Sequence, residues 1–139
     1  MNKLIDLFDG FRYKLINISY HDKETEDNDD SKENSSFEYY DTYKVLSYDK
    51  EKISIDFERI VSVNVGIQFD LSISYRIEHI ITKEKLADLN EIDILAEIDN
   101  NIQFFSGGVM SYVSVLISEI TTTFGRIPIV TSPEFTARE

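Results

Sequence analysis

The chain has no cysteine and no tryptophan, and only two prolines and five glycines among its 139 residues. Without cysteine there are no disulfide staples, thiolate zinc sites or cysteine nucleophiles, a composition that suits a reducing compartment such as the cytoplasm. Nowhere do 18 apolar residues run together, and Asp6 and Asp9 interrupt the first ten, so neither a membrane span nor a signal peptide is expected. Basic residues are scarce as well. Fourteen Lys and Arg against 26 Asp and Glu leave a net charge of -12, and no basic cluster offsets it locally. The mean field repels phosphates, which argues against nucleic acid and anionic membrane and leaves polypeptide as the open class of partner.

Catalytic signals are equally thin. No GxSxG, HExxH, Walker or GxGxxG pattern occurs, and only His21 and His79 are available as imidazole bases. A small hydrolase would have to use His79 with a neighbouring carboxylate. His79 lies on the apolar parity of a strand, so packing is its expected role, and no catalytic residue is assigned. Asp27, Asp29, Ser31, Glu33 and Glu38 stand at EF-hand positions, but Lys32 occupies the place where the sharp turn needs Gly and Asn34 the usual apolar place. No metal and no cofactor is expected.

What is present fits a single domain, residues 1–139, with 42% hydrophobic and 29% charged residues. Residues 21–36, HDKETEDNDDSKENSS, hold seven acids, two lysines and no apolar side chain, and are expected to form a flexible acidic loop. Before it, Phe11 to Tyr20 is rich in β-branched and aromatic residues whose apolar phase changes from Phe11, Tyr13, Leu15 to Ile16, Ile18, Tyr20, which suggests a bulged strand. Phe37 to Tyr48 is a second strand, with apolar residues in both phases. Lys52 to Val65 and Gly66 to Ile81 alternate apolar odd positions with polar even ones, interrupted by Arg59, and Asn64 to Gly66 supplies the turn of a long hairpin.

From Thr82 onward the period becomes helical. Leu86, Leu89, Ile92, Leu95, Ile98 and Ile102 mark a helix with a break near Asn90 or Asn100. Val109, Val113, Leu116, Ile117, Ile120 and Phe124 mark a second, capped by Ser106 and ended by Gly125, whose other face is rich in Ser and Thr. The tail from Arg126, with Pro128 and Pro133, reads as an extended strap. The architecture expected is α+β: a four-stranded antiparallel sheet with the C-terminal helices packed on one face. Phe37, Tyr39, Tyr40 and Tyr43 directly follow the acidic loop and are candidate contact residues, because aromatic rings join large apolar area to a polar handle.

The order of strand, long acidic connection, three strands and helices resembles the SecB-type export chaperones. The sharper likeness is SYVSVLISEITTTFGRIPIVTSPEF, Ser111 to Phe135, carried by Leu116, Ile117, Ser118, Gly125, Ile127, Pro128, Pro133 and Phe135; FRYKLINIS, Phe11 to Ser19, resembles the family's first strand. Where the family places Pro and Pro-Tyr, this chain has Ser106, Gly107, Gly108 and Ser111. It is C-terminally shortened, ending six residues past Pro133 with no counterpart of the second long helix and tail.

The resemblance implies binding of unfolded polypeptide clients without ATP or metal, contact with the SecA translocase, and assembly of dimers into a tetramer through edge strands. It also adds Ile127 and Ile129 of the strap to the candidate polypeptide-binding residues. An alternative is a regulatory oligomer of the same fold that binds one dedicated partner, such as a toxin-antitoxin component. Deleting Thr25 to Asn34 is expected to leave a cooperative unfolding transition with little change in melting temperature, since that segment offers no apolar burial; a calorimetric scan checks this.

Overall fold

The computed structural model describes residues 8–23, 37–49, 51–64, 68–81, 93–123 and 128–138. Four strands form one antiparallel sheet: β1 (Phe8–Asp22), β2 (Phe37–Tyr48), β3 (Lys52–Val63) and β4 (Phe69–Ile81). Their order across the sheet is β1-β4-β3-β2, so the first two strands of the chain lie at opposite edges. Three helices follow, α1 (Ile94–Asn100), α2 (Ile102–Ser106) and α3 (Val109–Thr122).

The alternation read in the sequence is the one the sheet uses. In β3 and β4, Ile53, Ile55, Phe57, Val61, Val63, Phe69, Leu71, Ile73 and Ile77 are buried on one face, where Ile94, Ile98, Phe105, Val109, Met110, Val113 and Ile117 of the helices meet them. Each such side chain contributes about 1.5–3 kcal/mol when withdrawn from water. The polar even positions make the opposite face, which none of the three described helices covers. Val63 pairs with Phe69, which fixes the hairpin; residues 65–67 of its turn lie outside the described residues. In β1 the register shifts between Leu15 and Asn17, where the apolar phase changes. The strand is longer than expected at both ends, because His21 and Asp22 continue the ladder opposite Asp70 and Phe69.

The helical segment differs in detail. Asp93 caps α1 by accepting from the Ala96 amide at 3.2 Å, and the helix breaks at Asn101. Ser106 does not cap α3: its hydroxyl turns back to the Gln103 carbonyl at 3.2 Å, and Gly108 holds the N-cap. Gly107, with φ +54°, makes the turn between α2 and α3, a conformation that costs glycine little. The expected helix over 82–92, the C-terminal Gly125 and most of the acidic loop fall outside the described residues.

One charged side chain ties the C-terminal strap to this framework. Arg59 is fully buried, and its five N–H donors all find acceptors. Nε and Nη2 form a fork on Asp41 at 2.7 and 2.6 Å, while Nη1 reaches Thr131 Oγ1 at 2.8 Å and the Ser132 carbonyl, and Nη2 also reaches the Glu134 carbonyl at 2.8 Å. The Tyr39 ring lies 5.0 Å from the guanidinium carbon. Asp41 in turn accepts the Thr136 amide at 2.7 Å, and its own amide donates to the Thr136 carbonyl at 2.7 Å, which carries the strap onto the free edge of β2. Removing either partner strands a charge away from water. Arg59→Ala and Asp41→Ala are each expected to cost about 3–5 kcal/mol in urea unfolding, and the double variant less than the sum of the two.

Candidate functional site

The candidate residues on β2 are tied into the fold to different degrees. Tyr39 stacks under Arg59, and its hydroxyl accepts the Ser132 amide at 2.9 Å. Tyr43 packs between Phe57 and Phe135 and donates to Asp99 at 2.7 Å; desolvation first, then this bond, pushes its phenol up to about 12. Phe37 is half-buried against the core. Ile129 is 2% exposed and belongs to the core outright, because its carbonyl and amide are bound by Ser118 and Thr121 of α3. Tyr40 alone of the β2 candidates points to the open face of the sheet, with the Arg138 guanidinium 4.8 Å from its ring centre. Ile127 lies outside the described residues.

The strap accounts for this outcome. Its main chain is bound group by group: Ser118 on the Ile129 carbonyl, Ser114 on the Thr131 carbonyl at 2.6 Å, Arg59 on the Ser132 and Glu134 carbonyls, and Gln103 on both the amide and the carbonyl of Phe135. The Ser/Thr-rich side of α3 is thus a binding surface for an extended segment of the same chain. Edge strand β2 meets this segment at one bridge, Asp41 to Ala137. Edge strand β1 is paired only on its β4 side among the described residues.

A broad apolar surface lies along that second edge. Phe11, Tyr13, Leu15, Ile18 and Tyr20 pair with odd residues of β4 and so share the face that carries the helices. Each of them is nevertheless more than 40% exposed. Tyr112 of α3 stacks on Tyr13 with ring centres 5.2 Å apart and is itself half exposed, and Val115 continues the surface one turn on. Apolar residues in both phases of the first strand are the sequence signal of this shelf. Contiguous exposed apolar area of this kind marks interaction surfaces.

The opposite face of the sheet is polar and concave. The register places Glu38, Ser62, Asp70 and His21 in one row across the four strands, Tyr40, Ile60, Ser72 and Ser19 in the next, and Thr42, Glu58, Ser74 and Asn17 in the third. Short serine side chains in the middle strands leave a trough of about 950 Å³. Further along, Arg76 pairs with Asp56 at 2.8 Å, and Lys52 and Arg12 both engage Glu78, so cations outnumber carboxylates at that end.

No protein-family model matches the chain, and no curated protein matches it. Among solved structures, the chain is similar to Mycobacterium tuberculosis Rv1957, a SecB-like chaperone in complex with a ChAD peptide from the Rv1956 HigA1 antitoxin. That similarity has a TM-score of 0.57 and 8% identity, covering 93% of this chain and 88% of the other. It is also similar to a protein of unknown function from Streptococcus agalactiae, with a TM-score of 0.46 and 14% identity over 88% and 97% of the two chains. The first likeness shows that the four-stranded sheet with C-terminal helices is a SecB-like fold. No helix among the described residues is long and apolar enough to cross a membrane.

His79 sits under the helix layer, 3% exposed, with the rings of Phe8, Phe11, Phe104 and Phe105 around it. Its Nε2–H donates to the Phe105 carbonyl at 2.8 Å, so its neighbours among the described residues are rings and this carbonyl. Desolvation lowers its pKa below the ordinary 6.5, and the hydrogen bond to Phe105 opposes this only in part. The neutral form is the folded one, while the unfolded chain takes up a proton below 6.5. Its contribution is complete above the unfolded pKa and is lost as pH falls toward the folded value. Melting temperature is expected to drop between about pH 7.5 and about pH 5.5, and to drop less in His79→Gln, which keeps a donor and does not titrate. Parallel thermal scans of the two proteins check this.

Proposed function

We propose that this chain is a SecB-like chaperone that holds non-native polypeptide through the apolar shelf of β1 and α3, without catalysis or cofactor, in the cytoplasm. The observation that carries the reading is the shelf itself: large side chains of an edge strand and Tyr112 of α3, exposed together along the rim of the sheet. A stretch of unfolded chain offers both things such a surface takes up, apolar side chains and unpaired peptide groups, and strand addition joins them in one contact. The SecB-like fold supports the same reading.

A 15-residue edge strand also invites a second copy. Antiparallel pairing of two β1 strands, as dimer or as half of a tetramer, would occupy the backbone edge and leave the side-chain shelf for a client. A second reading is favoured by the antitoxin peptide bound to Rv1957: one dedicated disordered partner in place of many clients. Slowing the aggregation of two unrelated unfolded proteins supports the first reading, whereas activity toward one alone supports the second. A role in export would add SecA as a partner, which mixing with purified SecA tests.

The shelf is tested by Tyr13→Ser with Leu15→Ser, both about half exposed. Capture of an unfolded client is expected to weaken by about 2 kcal/mol, roughly thirtyfold in Kd, with melting nearly unchanged. Tyr112→Ser on the helix is a second probe should the strand variant melt early. Light scattering on the unmodified protein is expected to give two or four times 16.1 kDa. Undiminished capture by both variants would remove the shelf from the site.

A further inference from the structure

Basic residues that the sequence scatters are gathered by the strand register. On the sheet face turned away from the three helices, Lys44, Asp56, Arg76 and Lys14 stand in one row across the strands, and Ser47, Ser54, Glu78 and Arg12 in the next. Lys52, beyond that row on β3, turns its amine to Glu78. Five cations thus face two carboxylates in a chain whose net charge is -12, and the fold supplies locally what the sequence lacks as a run.

Both carboxylates of this cluster are engaged, whereas its cations have capacity to spare. Asp56 accepts from Nε and Nη2 of Arg76 at 2.8 and 3.2 Å, which leaves Nη1 with no acceptor among the described residues. Glu78 is shared by Lys52 and by Arg12 at 3.6 Å. Its carboxyl is held below the ordinary value, first by the Lys52 hydrogen bond and then by the charges of Lys52, Arg12 and Lys14, with desolvation opposing them. Lys14 and Lys44 have neither a hydrogen bond nor an ion pair among the described residues. Beside Arg76 lies a hollow of about 230 Å³, bounded by Arg12, Tyr13, Lys14 and Glu78. That is below the roughly 300–1,000 Å³ of sites that take a drug-sized molecule, and it suits a small group.

An excess of positive charge over a small hollow calls for a compact anion with more than one negative charge. A phosphate group carries about -1.5 to -2 charge at pH 7 and presents three acceptor oxygens, a match for the Lys14 amine, the Arg12 guanidinium and Nη1 of Arg76. The surroundings limit its size. The next row toward the trough, about 7 Å along the strands, carries Glu58, and Glu38 and Asp70 stand beyond it. A long polyanion or a membrane surface reaching past the hollow would meet these carboxylates within the Debye length of about 8 Å at physiological salt. We propose that Arg12, Lys14 and Arg76 form a binding site for the phosphate group of a small soluble molecule. The site lies on the other side of the sheet from the shelf and is independent of the chaperone reading.

The test is isothermal titration calorimetry of the full chain with inorganic pyrophosphate in metal-free buffer at about pH 7.5, where its phosphates are ionised. Saturable binding of one pyrophosphate per chain is expected, with a rise in melting temperature as pyrophosphate is added. Arg12→Gln with Lys14→Gln is expected to weaken binding by at least about tenfold, while Lys14→Arg binds within about twofold of the unmodified chain. Lys23→Gln with Arg138→Gln removes the same charge from the other end of the same face and is expected to change Kd by less than about twofold. Malonate, with two carboxylates in place of phosphates, is expected to bind at least about tenfold more weakly. Absence of saturable binding would overturn the proposal, as would equal losses in the two charge-removing pairs or malonate that binds as tightly. Binding of phosphatidylglycerol vesicles or single-stranded DNA that Arg12→Gln with Lys14→Gln abolishes would make the cluster a polyanion surface, which overturns it as well. Arg12 and Lys14 are both exposed, so the variants are expected to stay folded. Thermal melting checks this, and Lys14→Gln alone carries the comparison if the double variant melts early.

Discussion

A guanidinium taken wholly out of water must have every donor met, and in this fold the acceptors for Arg59 come from two places far apart in the chain. Asp41 on β2 supplies the counter-charge, and the strap supplies Thr131, Ser132 and Glu134. The strap is therefore part of the solution to a buried charge. Undocking it would leave the ion pair short of three hydrogen bonds in a place where a lost partner costs several kcal/mol. From that constraint follow the bridge of the strap to the β2 edge, the half-burial of Tyr39 and Tyr43, and the burial of Ile129 and Phe135.

The two edges of the sheet consequently have different characters. At β2 the Asp41 amide is already paired to the Thr136 carbonyl, and the aromatic side chains are committed to the core. At β1 the ladder is paired only to β4 among the described residues, and Phe11, Tyr13, Leu15 and Ile18 are exposed. The SecB-like fold of Rv1957 is built on the same sheet-and-helix plan.

The strands were legible because strict alternation from Ile53 to Ile81 leaves one face to bury, and the long polar connection before Phe37 freed the first strand to sit at the far edge. The bulge was legible as a change of phase. The site was much less so. Arg59 read as an interruption of an apolar pattern, since nothing local reveals that Thr131 to Glu134, more than 70 residues on, will satisfy it. Tyr39 and Tyr43 are candidate contact residues in the sequence, and exposure at an edge strand depends on whether another segment docks there. The Ser/Thr side of α3 is plain in the sequence, but nothing local tells that Ser114, Ser118 and Thr121 serve the strap. Composition does not distinguish hydroxyls that face water from hydroxyls that face a carbonyl.

The way in which the strap is gripped bears on how freely its sequence can drift. Side chains of α2, α3, β2 and β3 hold it by amides and carbonyls, groups that every residue except proline supplies alike. Outward positions such as Val130 and Glu134 are exposed and can exchange with little effect on docking, while the inward residues Ile129, Thr131 and Phe135 answer to the core. The burden of keeping the segment in place has shifted from the segment to its cradle. Gln103, Ser114, Ser118 and Arg59 are therefore less free to vary than the stretch they restrain, and two proteins with this device could share a cradle while differing at much of the strap's outer surface.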